Sequence, residues 1–214
     1  MKFVFFGTPE FAAIILQKLI GAGLVPHAVL TNPDKPAGRK RISTPPPVKQ
    51  LIAQGNRHID VLQPENVEAI RATLYAMRPE LLIVAAYAKI LPKWLLEIPA
   101  HGVIGVHPSL LPKYRGATPI QSAILGGEET TGITLFVMDE KVDHGPILAA
   151  TSVAVGVKSY AELHAELAQI GGELLLDTLP SFLKNGLAPR RQDESQATYT
   201  RKFTPADGFV SWES

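Results

Sequence analysis

The run Leu81-Leu-Ile-Val-Ala-Ala-Tyr87 is apolar without a break. It is far too short to span a bilayer, and an unbroken apolar run of this length reads as a buried strand, here over Glu80 to Ala86. Just before it, Glu65 to Met77 has the spacing of a helix; after it, Val103 to Val106 is a second apolar strand. Toward the amino end, Lys2-Phe-Val-Phe-Phe6 is a strand stopping at Gly7, with Thr8 as cap and Pro9 as first residue of a helix through Phe11 to Leu19. Val25 to Thr31 is the next strand, closed by Asn32-Pro-Asp34. A polar loop then runs to about Thr44, a proline-started helix covers Pro45 to Ala53, and Val61-Leu62 is a brief strand. Toward the carboxyl end, Gly132 to Met138 and Ile147 to Val155 are strands. Ser159 to Leu183 is the longest helical pattern, with a weak point at Gly171-Gly172.

Strands alternating with helices at this spacing predict an α/β, Rossmann-like, mostly parallel sheet with helices on both faces. Ligands of such sheets sit beyond the carboxyl ends of the strands. The loops after Phe6, Thr31, Ala86, Val106 and Met138 are therefore where chemistry is sought. From Gly186 the chain turns polar and irregular, so residues 1–188 are expected to form one domain and 189–214 a linker or tail. Near its end Phe209-Val210 still wants an apolar partner.

Composition sets the outer bounds. With 46% hydrophobic residues in 214, burial can offset chain entropy and wholesale disorder is excluded. Lys plus Arg number 21 against 20 Asp plus Glu, which excludes a strongly basic or acidic protein but leaves local patches open. The absence of cysteine excludes disulfides, thiolate metal sites and a cysteine nucleophile. No stretch suits a signal peptide or a bilayer span, so a soluble, cytoplasmic protein is expected.

Several motifs resist a functional reading. Gly7-Thr8-Pro9 lacks the further glycines of a dinucleotide fingerprint and reads as a plain strand-to-helix turn. Ser109 lacks the glycines of a nucleophile elbow. His107, His144 and Asp143 include no close histidine pair, so no metal is expected. The segment Lys35 to Lys49 carries Lys35, Arg39, Lys40, Arg41 and Lys49 with no acid. A solvated loop and a proline-braced surface for phosphate contacts fit it equally well.

The most specific stretch is Val103-Ile-Gly-Val-His-Pro-Ser-Leu-Leu-Pro112, where an apolar strand delivers His107 just as it ends and Pro108 stops further pairing. Its counterpart is Met138-Asp-Glu-Lys-Val-Asp-His-Gly-Pro146, again after a strand. There Asp139 and Asp143 supply carboxylates to orient an imidazole or accept a proton.

Together with Phe6-Gly-Thr-Pro-Glu-Phe-Ala12, Pro33-Asp-Lys-Pro-Ala-Gly-Arg39, Pro46-Pro-Val-Lys49, Ala85-Ala-Tyr-Ala-Lys-Ile-Leu-Pro92, Arg115-Gly-Ala-Thr-Pro-Ile-Gln121, Gly132-Ile-Thr134 and Ala197-Thr-Tyr199, these segments carry a resemblance. In this order and spacing the chain closely resembles the catalytic domain of the methionyl-tRNA formyltransferase family. The resemblance runs through nearly the whole chain. It implies formyl transfer from 10-formyltetrahydrofolate to an amine through a tetrahedral intermediate, without a metal. Folate and initiator methionyl-tRNA are the implied partners, and a monomer is expected. Folate contacts are implied at Tyr87, Lys89, Ile90, Leu91, Ser109, Leu110, Leu111, Pro112, Met138 and Asp139, with Tyr87 and Ile90 against the pterin.

The family's catalytic trio is Asn, His two residues later and a distant Asp. His107 and Asp143 stand at the second and third positions, and Gly105 stands at the first. An amide donor there is expected to bond the formyl oxygen as charge develops, and losing one costs roughly 10²–10³ in rate, about 3–4 kcal/mol. Gly105 leaves its backbone N–H and room for a water as substitute. Restoring Gly105→Asn is then expected to raise the rate by on the order of 10². A weakened enzyme, a folate- or tRNA-binding module, an engineered variant and a hydrolase delivering the formyl group to water all remain open. The basic segment Lys35 to Lys49 matches the family loop that enters the tRNA acceptor arm, with Arg39 at the matching arginine. Full-length members carry a further barrel-like domain, and the sequence stops where it would begin. Affinity for tRNA is accordingly expected to be weak and salt-sensitive.

Overall fold

Strands of apolar, β-branched and aromatic residues, buried on both faces, build the centre of the molecule. The computed structural model describes residues 1–39, 41–55 and 58–209. In chain order the elements are β1 (Phe3–Gly7), α1 (Glu10–Gly21), β2 (Ala28–Leu30), β3 (Lys35–Ala37), β4 (Ile42–Thr44), α2 (Pro47–Gln54) and β5 (Asp60–Leu62). There follow α3 (Arg71–Met77), β6 (Leu81–Ala85), α4 (Lys93–Leu96), β7 (Val103–His107), β8 (Arg115–Gly116) and α5 (Pro119–Leu125). The last are β9 (Thr130–Val137), β10 (Ile147–Ala154), α6 (Tyr160–Leu183) and β11 (Tyr199–Thr200).

Seven strands form one sheet in the order β10-β9-β7-β6-β1-β2-β5. The five from β7 to β5 are parallel, whereas β9 runs antiparallel to β7 and β10. The mostly parallel sheet is as expected, with an antiparallel pair added at one side. From β1 the chain winds outward to β5 and then returns through β6 to β7. The strand order therefore reverses at β1 and β6, the crevice where α/β sheets of this kind take their ligands. Helices α1 and α6 cover one face through Phe11, Leu16, Leu163, Leu167 and Leu175; Leu74 of α3 and Leu95 of α4 lie on the other.

Local departures from expectation have local causes. Pro9, not Thr8, is the N-cap of α1. The Thr8 hydroxyl instead accepts from the Asn32 amide at 3.2 Å, tying the turn after β1 to the one after β2. The helix expected from Glu65 begins as a 3-10 turn, Val67–Ile70, before α3 takes over. Gly171 and Gly172 do not break α6. A Cβ on Gly171 would lie 3.3 Å from Val106, and one on Gly172 3.0 Å from Lys18 Cβ, so the pair lets α6 approach the sheet and α1 closely. Ser159, expected as the first residue of the helix, is instead its N-cap, in a reciprocal box with Glu162. The segment read as a polar loop before Thr44 contains the β3–β4 hairpin. Residues within the expected linker lie on the domain: Arg190 bridges Ile147, and β11 pairs with β8.

Candidate active site

His107 is the last residue of β7, a buried side chain whose direction is fixed by the strand. Its Nε2 lies 2.9 Å from the Tyr114 carbonyl. A carbonyl only accepts, so Nε2 carries the hydrogen and Nδ1 is the nitrogen turned toward Asp143. Nδ1 stands 3.5 Å from Asp143 Oδ2. The Gly116 amide donates to that same oxygen at 2.8 Å, which pins the carboxylate.

How Asp143 gets there differs from the sequence expectation. Because β9 is antiparallel, Val137 is level with Ile104, and the Met138 amide donates to the Val103 carbonyl at 2.8 Å. The segment after Met138 thus starts beside the beginning of β7, not its end. It must fold back to bring Asp143 to His107, and Asp143 sits in the left-handed region at φ 47°. Ala86 (φ 46°), Ala88 (φ 60°) and Tyr114 (φ 59°) share that conformation in the segments following β6 and β7. Left-handed non-glycine residues each cost of order 1–3 kcal/mol and gather where a structure is held for function. Tyr114 is fixed at its far end too: its hydroxyl donates to Glu128 at 2.7 Å. That bond, aided by burial, pushes the Tyr114 pKa up to about 12.

Gly105 is the largest departure from expectation. It faces Phe136 across the ladder, and a Cβ built on it would lie 2.4 Å from Phe136 Cε1, 2.6 Å from Cζ and 3.2 Å from Met138 Cγ. Phe136 is buried with Leu111 and Ile147, and Met138 packs on the three. The space expected for a water holds an aromatic ring instead, so Asn does not fit at 105 without repacking.

The implied folate residues are scattered in exposure. Tyr87 is packed in the core, edge-on to Phe6 at 5.2 Å, so its ring is not an open pterin contact. Its buried hydroxyl has no hydrogen-bond partner among the described residues, and burial raises its pKa. Ile90, by contrast, is 83% exposed, while Leu91 is buried. Lys89 donates to the carbonyls of Pro64 and Glu65 at 3.0 and 2.9 Å. Ser109 is fully buried, and its hydroxyl donates to the Lys113 carbonyl at 2.6 Å. The Thr134 hydroxyl donates to the Ser109 carbonyl and accepts from the Leu111 amide. The turn through Ser109, Leu110, Leu111 and Pro112 is therefore a brace, and the Ser109 hydroxyl is engaged within it. Asp139 binds His144 Nδ1 at 2.5 Å.

Of the basic residues, Lys35, Arg39 and Arg41 are exposed on the β3–β4 hairpin. Lys40 lies outside the described residues. Lys49 is not a free cation: its ammonium donates to both Asp34 oxygens at 2.9 Å. Lys49 and Gln63 hold the Asp34 carboxyl below its ordinary pKa. Sequence reasoning did not single out Gln192 for the site; Tyr114, Arg115 and Gly116 were legible only as the segment that follows His107, without individual roles.

A buried imidazole faces a pinned carboxylate at the rim of the sheet, where α/β folds of this kind take their ligands. The formyl transferase family matches residues 1–179. The methionyl-tRNA formyltransferase of Halalkalibacterium halodurans is 44% identical over 215 residues, covering 99% of this chain and 67% of that protein. Among solved structures, phosphoribosylglycinamide formyltransferase from Bacillus halodurans aligns with TM-score 0.68 at 22% identity, over 86% of this chain and 95% of its own. An N-formyltransferase from Helicobacter canadensis, in complex with folinic acid and dTDP-3-aminofucose, aligns with TM-score 0.70 at 19% identity, over 94% of this chain and 70% of its own. The chain belongs to the formyl transferase family, which makes it a transferase. No helix among the described residues is long and apolar enough to cross a membrane.

Proposed function

We propose that this protein transfers the formyl group of 10-formyltetrahydrofolate to the amino group of initiator methionyl-tRNA, in the cytoplasm. The observation that carries this reading is the approach of His107 Nδ1 to Asp143 Oδ2 at the end of β7. It is supported by 44% identity to methionyl-tRNA formyltransferases over 99% of the chain. The uncharged amine attacks the formyl carbon, and a tetrahedral intermediate forms. Its C–N bond to the folate nitrogen then breaks, and the proton lost by the amine returns to that nitrogen. His107 and Asp143 are proposed to relay this proton, with Asp143 orienting the imidazole. The exposed hairpin bearing Lys35, Arg39 and Arg41 is proposed as the tRNA surface.

A second reading has its own observation. Gly105 offers no side-chain donor for the formyl oxygen, and the Phe136 ring fills the space a substitute would need, which favours a binding module of reduced or absent turnover. One experiment separates the outcomes: incubation with 10-formyltetrahydrofolate and charged initiator tRNA, followed by product analysis. Formylmethionine supports transfer, free formate supports hydrolysis, and binding without product supports the module.

A further inference from the structure

Arg115 is a fully buried guanidinium, and every one of its five N–H groups is engaged. Nε and Nη2 donate to Gln192 Oε1 at 3.1 and 2.8 Å; Nη1 and Nη2 donate to Glu194 at 3.0 and 2.6 Å; Nη1 also reaches the Tyr199 hydroxyl at 3.0 Å. This fixes the orientation of the Gln192 amide, since the guanidinium demands an acceptor. The other end of that amide points to the active-site segment. Gln192 Nε2 donates to the Asp143 carbonyl at 3.0 Å and to the Gly145 carbonyl at 2.7 Å. Arg115 also precedes Gly116, whose amide holds the Asp143 carboxylate.

We infer that Arg115 and Gln192 are positioning residues, a clasp that holds the left-handed Asp143 backbone and so sets its carboxylate against His107. Gln192 fixes Asp143 through its backbone, and the Arg115-Gly116 segment fixes it through its side chain. The clasp makes residues 192–199 part of the site. Lysine cannot replace Arg115 here, because its ammonium has three donors and no planar fork. The inference rests on the reading above that His107 and Asp143 carry the chemistry.

Gln192→Glu separates the two ends of the clasp: a carboxylate still accepts from Arg115 but cannot donate to the Asp143 and Gly145 carbonyls. Gln192→Ala removes both. In the full chain, the expected result for both variants is faster hydrogen exchange at the Gly116 amide. The kcat of formyl transfer should fall about 10–100-fold, as misplacement of a reacting group by an ångström does, with KM little changed and the chain still folded at the assay temperature, although its thermal transition is lowered by the unpaired buried groups. Unchanged Gly116 exchange overturns the clasp, and so does a loss of rate no larger than the loss of folded protein. The amide readout needs no turnover. If the wild-type chain forms no product the functional reading fails, and Gly116 exchange alone decides the clasp.

Discussion

Gly105 and Phe136 face one another across β7 and β9, and the Phe136 ring occupies the volume a side chain on residue 105 would need. The two are packed as a unit, with Leu111 and Ile147 holding the ring in place. Gly105→Asn alone is therefore expected to overpack the site and destabilise the chain by about 1–3 kcal/mol, with no gain in transfer. Gly105→Asn with Phe136→Ala makes room for the amide, and only there is a rise approaching 10²-fold expected. Denaturant midpoints and single-turnover rates for the two variants check both halves. A rate gain in the single variant would show that Phe136 yields easily.

Removing the imidazole or its carboxylate tests the pair directly. His107→Ala and Asp143→Ala are each expected to lower turnover by roughly 10²-fold or more, the usual range for a positioned acid–base group. Folate affinity should move far less, because the two side chains are only 7% and 18% exposed and so offer little binding area. Titration of the folate by fluorescence alongside steady-state rates makes the comparison, and equal losses of binding and turnover would remove the catalytic assignment.

Much of this fold is written in local patterns. Leu81 to Ala85 and Val103 to Val106 are buried on both faces, so an unbroken apolar run sufficed to find them. His107 was legible because Pro108 marks where pairing ends. The direction of β9 was not legible: a strand buried nearly throughout, as Thr130–Val137 is, reads the same for either direction, and only pairing with β7 settles it. That one reversal moved Met138 to the opposite end of β7 from where it was expected. The Phe136 ring under Gly105 was hidden for the same reason, since it depends on register between strands far apart in sequence. Gln192 gave no signal, because a polar side chain in an irregular segment looks alike whether it meets water or two carbonyls.

The basic hairpin predicts a graded response to salt. Arg39 and Arg41 are exposed, whereas Lys49 is held by Asp34. If the hairpin meets a phosphate backbone, Arg39→Ala and Arg41→Ala should each weaken tRNA binding and reduce the slope of log affinity against log salt by about 1. Lys49→Ala should leave that slope unchanged. Filter-binding or fluorescence titrations at several salt concentrations give the slopes. Identical effects from all three variants would mean that the charge acts through the general field and not through contacts.

His164 on α6 supplies a pH dependence of stability unconnected with the active site. The ring sits edge-on to Phe11 at 5.6 Å and beside Tyr160 at 5.4 Å. Burial depresses its pKa below the ordinary 6.5, against a smaller opposing pull from the Glu10 charge. A histidine with a lowered pKa in the folded chain takes up its proton more readily when unfolded, so acid favours unfolding. Its contribution is fully present above pH 6.5 and is lost as pH falls from there through the lowered folded value. His164→Phe keeps the aromatic packing and removes the titration. Thermal midpoints measured from pH 8 to pH 5 should fall less steeply below about pH 6.5 in that variant than in the wild type, whereas parallel curves would place the acid sensitivity on another group.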